Sequence, residues 1–264
     1  LGIDIMFFFA ILFFGSMMTA GAFDPIVNEI AKYLPEGFSV RKPYIIATHK
    51  MHTNLTWLAG RGYNVVTFNV PVNFHGPKDD ISGQYQLAIW ENHADPILSG
   101  REQLGYSKIF ADIENLKIAD GVARAKMSSW GFDFCEFEFD YDKAPADEAL
   151  LQDIIRDPES EGLMHLKYIP KTGDGFDEAD VIYVSFTPKK FPVPPDAKPL
   201  PENPPRTWFT GSIKWNIPTW QDMPTQFHVV QGLGGLPVKR IIGASRMTAT
   251  HYNDVYHVKR VEFK

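Results

Sequence analysis

A chain of 264 residues is long enough to bury a substantial core, and we predict a single domain over residues 1–264. Hydrophobic residues make up 44% and charged residues 22%, which is ordinary for a globular protein and excludes a disordered or fibrous chain. The net charge of −6 and the lack of a basic run argue against nucleic acid as a partner.

The chain begins with a phenylalanine-rich apolar run, Ile5 to Phe14. This run is too short to span a bilayer as a helix, and Asp4 precedes it where a secretion signal would carry a basic residue. We therefore interpret it as a buried strand and expect no membrane partner. Asp24 followed by Pro25 then predicts the start of a helix that stops before Pro35.

The middle of the chain reads as a series of strands. Strands are predicted from Phe38 to Val72, with a break at Gly60 and Gly62, and again over residues 85–92. Residues 74–83 are predicted to form a turn-rich loop, and an irregular segment over 92–100 leads to Gly100.

The second half continues this pattern. The alternating segment FDFCEFEFD indicates a half-solvated antiparallel strand that carries Cys135 as a small core residue. This single cysteine excludes an intrachain disulfide and is consistent with a reducing, cytoplasmic location. A short helix is predicted over 146–160, strands over 163–170, 179–188 and 208–217, and a proline-rich surface loop at about 189–206. Strands without alternating long helices favour a mainly β (α+β) fold.

Several common chemistries lack the residues they need. His49 and His52 are three apart in a predicted strand and point to opposite faces, so we predict no metal site. The sequence has no GxSxG elbow, and the glycines of GLGGLP are predicted to form a turn because no P-loop context surrounds them.

The segment GREQLGYSKIFAD, from Gly100 to Asp112, carries the remaining candidate. It sets Lys108 among the apolar neighbours Tyr106, Ile109 and Phe110. Burial disfavours a charged ammonium, so a buried lysine releases a neutral amine that attacks carbonyl carbons. Lys108 is therefore our candidate nucleophile, and its chemistry needs no cofactor.

The same segment resembles the motif of the acetoacetate decarboxylase family, in which GRE is followed by two variable residues, glycine, an aromatic residue, proline and the Schiff-base lysine. Lys108 falls on that lysine. Further similar segments follow in the same order: GYNVVTFNVPV, AIWENHADPILSGRE, LMHLKYIP, TGSIKW and GLPVKRIIGASRM. The resemblance implies a double-layered closed β-cone or barrel with a few peripheral helices. It also implies a small-molecule keto acid or ketone substrate and a homo-oligomer.

The departures from the family pattern indicate a more apolar pocket. The second lysine that often follows the nucleophile is Ile109, the proline before it is Ser107, and the glutamate of the family's Tyr-x-Glu is Val65. We therefore expect a β-keto acid that is bulkier or more apolar than acetoacetate. Proton transfers would fall to Glu102, Glu91, Tyr63, Tyr106 or a water.

The candidate site residues divide into two groups. Catalytic candidates are Lys108, Glu102 and Arg101, where Arg101 and Glu102 are alternatively a pair that braces the loop. Candidate substrate-binding residues are Tyr63, Val65, Trp90, Tyr106, Ile109 and Arg61.

Three functions remain open at this point. The first is a Schiff-base decarboxylase of a β-keto acid, and the second is an aldolase or dehydratase that uses the same imine. The third is a non-catalytic binding protein that keeps the fold.

Overall fold

The computed structural model describes residues 2–12, 24–173, 178–190, 205–251 and 255–263. The strands in these ranges are β1 (Gly2–Leu12), β2 (Phe38–Val40), β3 (Tyr44–Leu55), β4 (Arg61–His75), β5 (Asp80–Glu91), β6 (Lys108–Phe110), β7 (Asp112–Ile113), β8 (Lys117–Ala119), β9 (Val122–Ser129), β10 (Phe132–Asp140), β11 (Gly162–Pro170), β12 (Ala179–Pro188), β13 (Thr207–Trp215), β14 (Arg240–His251) and β15 (Lys259–Val261). The helices are α1 (Asp24–Ala31), α2 (Ala94–Ser99), α3 (Glu148–Arg156) and α4 (Phe227–Gly234), with a π-helical turn at Gly100–Leu104 and 3-10 turns at Thr56–Leu58 and Val255–His257.

The strands form one continuous hydrogen-bonded sheet that curls into a half-barrel. Its order is β15-β12-β11-β5-β4-β3-β1-β14-β13-β10-β9-β7, with β2 on β4, β6 on β5 and β8 on β9. The expectation of a mainly β fold with few helices is confirmed. Two short parallel pairings share one side of β5, since β11 pairs at Gln84–Tyr85 and β6 pairs at Ile89–Glu91. This sharing brings β6 and β11 to the same region.

The main core lies between two layers of the curled sheet. Trp90 of β5 packs on Phe134 of β10 with ring centres 5.5 Å apart, and Phe68 of β4 packs on Trp215 of β13 at 5.3 Å. Cys135 is fully buried in the same core. The consecutive residues Asn64 to Phe68 of β4 are all buried, so both faces of this strand are covered.

Several predicted elements have the expected type. The N-terminal strand is confirmed over Gly2–Leu12 and pairs with β3 and β14, while residues 13–23 lie outside the described residues. Helices α1 and α3 occupy the predicted segments. Most of the proline-rich stretch, residues 191–204, also lies outside the described residues.

Three loop predictions are wrong because strand pairing or helix formation overrides local turn signals. The 74–83 loop is only a four-residue turn, since β4 and β5 form one long hairpin that closes at His75 and Asp80. The irregular 92–100 segment contains α2, whose first turn is capped by the side chain of His93. Helix α4 includes part of the GLGGLP run, because Val230 and Leu233 bury one of its faces and offset the low helix propensity of glycine. No described helix is long and apolar enough to cross a membrane.

Candidate active site

Lys108 reaches the site through the register of three strands. It pairs with Ile89 in the parallel β5–β6 ladder, and Glu91 lies two residues further along β5. Because side chains alternate along a strand, Lys108, Ile89 and Glu91 project from the same face. Val65 and Thr67 of β4 pair with Glu91 and Ile89 and extend this face.

The amine of Lys108 is buried and held by two oxygen acceptors. Its Nζ lies 2.8 Å from Oε1 of Glu91 and donates to the carbonyl of Pro96 at 2.9 Å. The side chain of Lys108 is 8% exposed and that of Glu91 only 2%. Both charges have lost most of their contact with water, so removing either partner would leave the other charge buried and uncompensated.

The chain around Gly100 wraps the lysine side chain closely. A Cβ added at Gly100 would lie 2.4 Å from Cε of Lys108 and 2.6 Å from its Nζ, so any larger residue here would displace the lysine side chain. Gly100 begins the π-helical turn that follows α2, and π-helical turns occur frequently at functional sites. The glycine of the GRE segment thus makes room for the amine.

Glu91 is an unusual carboxyl group. Burial raises its pKa, and the neighbouring Lys108 ammonium opposes this rise. Its second oxygen, Oε2, is buried without a hydrogen-bond partner among the described residues. A carboxyl with a raised pKa and an available oxygen next to an amine is suited to move protons.

A wall of β11 and β12 residues closes the site beside Tyr106. The ring of Tyr106 lies 5.8 Å from Nζ of Lys108, and it stacks on the ring of His165 at 3.9 Å. Its hydroxyl hydrogen bonds to Thr187, and Ser185 donates to the carbonyl of Leu104. These contacts fix Tyr106 and the backbone before Lys108.

The predicted catalytic candidates Arg101 and Glu102 lie at the surface, whereas Lys108 is buried. Both side chains are exposed, as expected for the outer surface of the π-helical turn. Arg101 donates to the carbonyl of Lys108 at 3.1 Å, which braces the loop. Glu102 contributes its backbone carbonyl, which accepts from Nζ of Lys167 at 2.6 Å. The carboxylate at the amine comes from Glu91.

The predicted substrate-binding residues lie on two different faces of the sheet. Val65 lies on the face of Lys108, Tyr63 is one pair further along that face, stacked on His52 at 4.8 Å, and Arg61 is exposed at the strand end. Trp90 and Ile109 form the adjacent cross-strand pair and pack on the opposite face, within the core. The structure does not bring these two side chains to the amine.

The sequence offered Glu91 only as one of several proton-transfer groups and did not place it among the catalytic candidates. The family's glutamate position is Val65, and Val65 pairs directly with Glu91 across the β4–β5 hairpin. The carboxyl therefore lies one strand away from the expected position. Lys50 pairs with Val65 from the other side, so it lies on the same face, and its charge lowers the pKa of Glu91.

A sequence model of the acetoacetate decarboxylase family matches residues 23–258. The chain belongs to the acetoacetate decarboxylase family. No curated protein sequence matches the chain significantly. Membership in the acetoacetate decarboxylase family indicates a lyase-type enzyme.

Solved structures share the acetoacetate decarboxylase fold. An acetoacetate decarboxylase from Legionella pneumophila has a TM-score of 0.64 at 16% identity, with 98% of this chain and 84% of that chain covered. An acetoacetate decarboxylase-like enzyme from Sphingomonas wittichii RW1 has a TM-score of 0.62 at 13% identity, covering 100% and 93%. The enduracididine biosynthesis enzyme MppR complexed with pyruvate has a TM-score of 0.58 at 12% identity, covering 94% and 84%. At these identities the similarity establishes the fold alone.

Proposed function

We propose that this protein is a cofactor-free lyase that forms a Schiff base between Lys108 and a β-keto acid and releases carbon dioxide. The observation that carries the proposal is the buried Nζ of Lys108 held at 2.8 Å from the Glu91 carboxylate. An amine activated by desolvation or a neighbouring cation is the known nucleophile of acetoacetate decarboxylase itself.

The proposed reaction begins with attack of the Lys108 amine on the keto carbon. Loss of water leaves an iminium, whose positive nitrogen accepts the electron pair of the adjacent C–C bond when carbon dioxide departs. The resulting enamine takes a proton on carbon, and water then releases the ketone and restores the amine.

Glu91 is the proposed proton-transfer group for these steps. Transfer of a proton from the ammonium to Glu91 converts a buried ion pair into a neutral pair, and burial favours the neutral forms. The raised pKa of Glu91 has the direction that this transfer requires. The same carboxyl, once protonated, can return the proton during dehydration or enamine protonation.

The surroundings favour a substrate with an apolar body. Val65, Thr67 and Ile89 continue the face of the amine, and all three are buried. The apolar side chains of Val65 and Ile89 support substrates whose alkyl part leaves water, at about 0.8 kcal/mol per buried CH₂ group. We therefore favour 3-oxo acids with a substituent larger than the methyl group of acetoacetate.

An aldol or dehydration reaction on the same imine is the second candidate. One structure that shares the fold is described as MppR with the condensation product of pyruvate and imidazole 4-carboxaldehyde, at a TM-score of 0.59 and 13% identity. A non-catalytic binding protein is the third. Both would act at the Lys108 site, so reaction products must separate them.

The test is product analysis over a panel of 3-oxo acids of increasing chain length. A decarboxylase releases carbon dioxide and the methyl ketone in equal amounts, and Lys108→Ala abolishes both. Condensation products of a 2-oxo acid with an aldehyde, without carbon dioxide, would support the second candidate. Absence of turnover with both substrate classes would support the binding protein.

A further inference from the structure

His165 is a buried histidine that the proposed reaction does not use. It lies on β11 and is 1% exposed, and neither ring nitrogen has a hydrogen-bond partner among the described residues. The buried His49, by contrast, has Nε2 3.1 Å from the carbonyl of Glu114. A buried polar group without a partner is rare and calls for an explanation, either a functional role or an ordered water.

The position of His165 is set by contacts that also build the lysine site. Its cross-strand partner is Ser185, which bonds to the carbonyl of Leu104, and its ring stacks on Tyr106 with an interplanar angle of 20°. Tyr106 in turn lies 5.8 Å from Nζ of Lys108. The distance between the ring centre of His165 and Nζ of Lys108 therefore cannot exceed the sum of these two distances, which places both groups in one region of the fold.

The protonation state of His165 follows from this setting. Burial, and then the positive charge of Lys108, lower the pKa of His165 to about 3. The imidazole is therefore neutral near pH 7 and offers one N–H donor and one acceptor nitrogen.

A neutral donor suits the carboxylate of a decarboxylation substrate. A cation would stabilise the ground-state carboxylate more than the transition state, in which that charge moves into the enamine. Only interactions that are at least as strong in the transition state leave the rate intact. An N–H from a neutral ring orients the carboxylate without adding a charge.

We propose that His165 determines substrate specificity by donating a hydrogen bond to the carboxylate of the keto acid bound at Lys108. This inference rests on the proposed Schiff-base function. The substrate would then have its alkyl part against Val65 and Ile89 of β4 and β5 and its carboxylate against His165 of β11.

The test compares a 3-oxo acid with the ketone that it would release. The two probes are 3-oxohexanoate and 2-pentanone, which differ by the carboxylate. Loss of one hydrogen bond to a charged group predicts that His165→Leu raises the KM for 3-oxohexanoate about 10- to 100-fold. The affinity for 2-pentanone, measured by borohydride trapping on Lys108, should change less than about threefold, within the range of a surface substitution. His165→Gln keeps an N–H donor and should recover part of the loss.

The matched control is His49→Gln. This substitution also removes a buried imidazole, but His49 contacts Phe137 in the core, on the face opposite Lys108. We expect it to leave the ratio of acid to ketone affinity unchanged. If His165→Leu does not fold, the ring nitrogen resonances of His165 in the wild-type protein provide the measurement. They should shift with 4-oxopentanoate, which cannot lose carbon dioxide through an enamine, and not with 2-pentanone.

Three results would overturn this role. Equal loss of acid and ketone affinity in the His165 variants would mean that the ring only packs against Tyr106. Unchanged acid affinity, or bound 4-oxopentanoate without a shift at His165, would remove the contact. Failure of the wild-type protein to form an adduct with both 2-pentanone and 4-oxopentanoate would instead refute the Schiff-base function itself.

Discussion

The pairing of Lys108 with Glu91 makes Glu91→Gln the most informative substitution. Glutamine keeps the shape of the side chain and one acceptor near Nζ, but it removes the charge and the capacity to take a proton. At the observed 2.8 Å, two unit charges attract by about 6 kcal/mol at an effective dielectric constant of about 20. Desolvation of both groups cancels much of this attraction.

The expected effects on stability and on rate can be separated. Breaking a buried pair that leaves a charge behind costs about 3–5 kcal/mol, and this is an upper bound because glutamine keeps one acceptor for the Lys108 amine. Loss of a positioned proton-transfer group lowers kcat by about 100- to 10,000-fold. We therefore expect a folded protein that still forms the borohydride-trapped adduct and turns over very slowly.

The assay is carbon dioxide release from a 3-oxo acid, with urea unfolding as the measure of folding. Glu102→Gln is the matched control, because Glu102 belongs to the GRE segment but has an exposed side chain. It should change stability by less than about 0.5 kcal/mol. Turnover of Glu91→Gln close to the wild-type rate, with an inactive Glu102→Gln, would refute the assignment and return the catalytic role to Glu102.

Two more substitutions and one pH titration test other parts of the structure. Gly100→Ala places a Cβ 2.4 Å from Cε of Lys108 and should lower kcat about 100-fold, since a displacement of about 1 Å has that effect. The control is Gly131→Ala, where φ is positive and the space is open, and it should cost about 1 kcal/mol of stability without loss of activity. Ile109→Lys should destabilise the fold by about 1–3 kcal/mol, because Ile109 packs on the core face. Its pH–rate profile should stay that of the wild type, and a shifted profile would place residue 109 at the amine. The free energy of unfolding should fall as pH drops from about 6.5 towards 4, because burial lowers the pKa of His49 to about 4, so below 6.5 only the unfolded chain takes up this proton. Urea unfolding at several pH values should show that the free energy of unfolding falls less steeply in His49→Gln, by up to about 1.4 kcal/mol per pH unit. Identical pH dependence in the variant and the wild type would contradict the lowered pKa of His49.

Much of this fold was predictable because local patterns and tertiary structure agree. The alternation in β10 and the helical spacing in α3 are satisfied by the face that each buries. The helix α2 was not predictable in the same way, because its six residues are too few to show a repeating apolar face. Its formation depends on the N-terminal cap at His93 and on the burial of Pro96, whose carbonyl accepts from Lys108.

Lys108 could be singled out from the sequence as the candidate nucleophile, but the residues that surround its amine could not be placed there. The GRE segment and Lys108 are contiguous, so a motif contains them. Glu91 and His165 reach the site through strand register, which a motif does not encode. Trp90 and Ile109 are sequence neighbours of site residues and point away from the amine, because adjacent residues of a strand face opposite sides.

The central claim is that the Lys108 amine forms an imine with a keto substrate. Borohydride reduction in the presence of a 3-oxo acid, followed by peptide mass mapping, tests this claim directly. We expect one covalent adduct, on Lys108, and none in Lys108→Ala. An adduct on another lysine, or no adduct with a folded wild-type protein over the whole panel, would contradict the account.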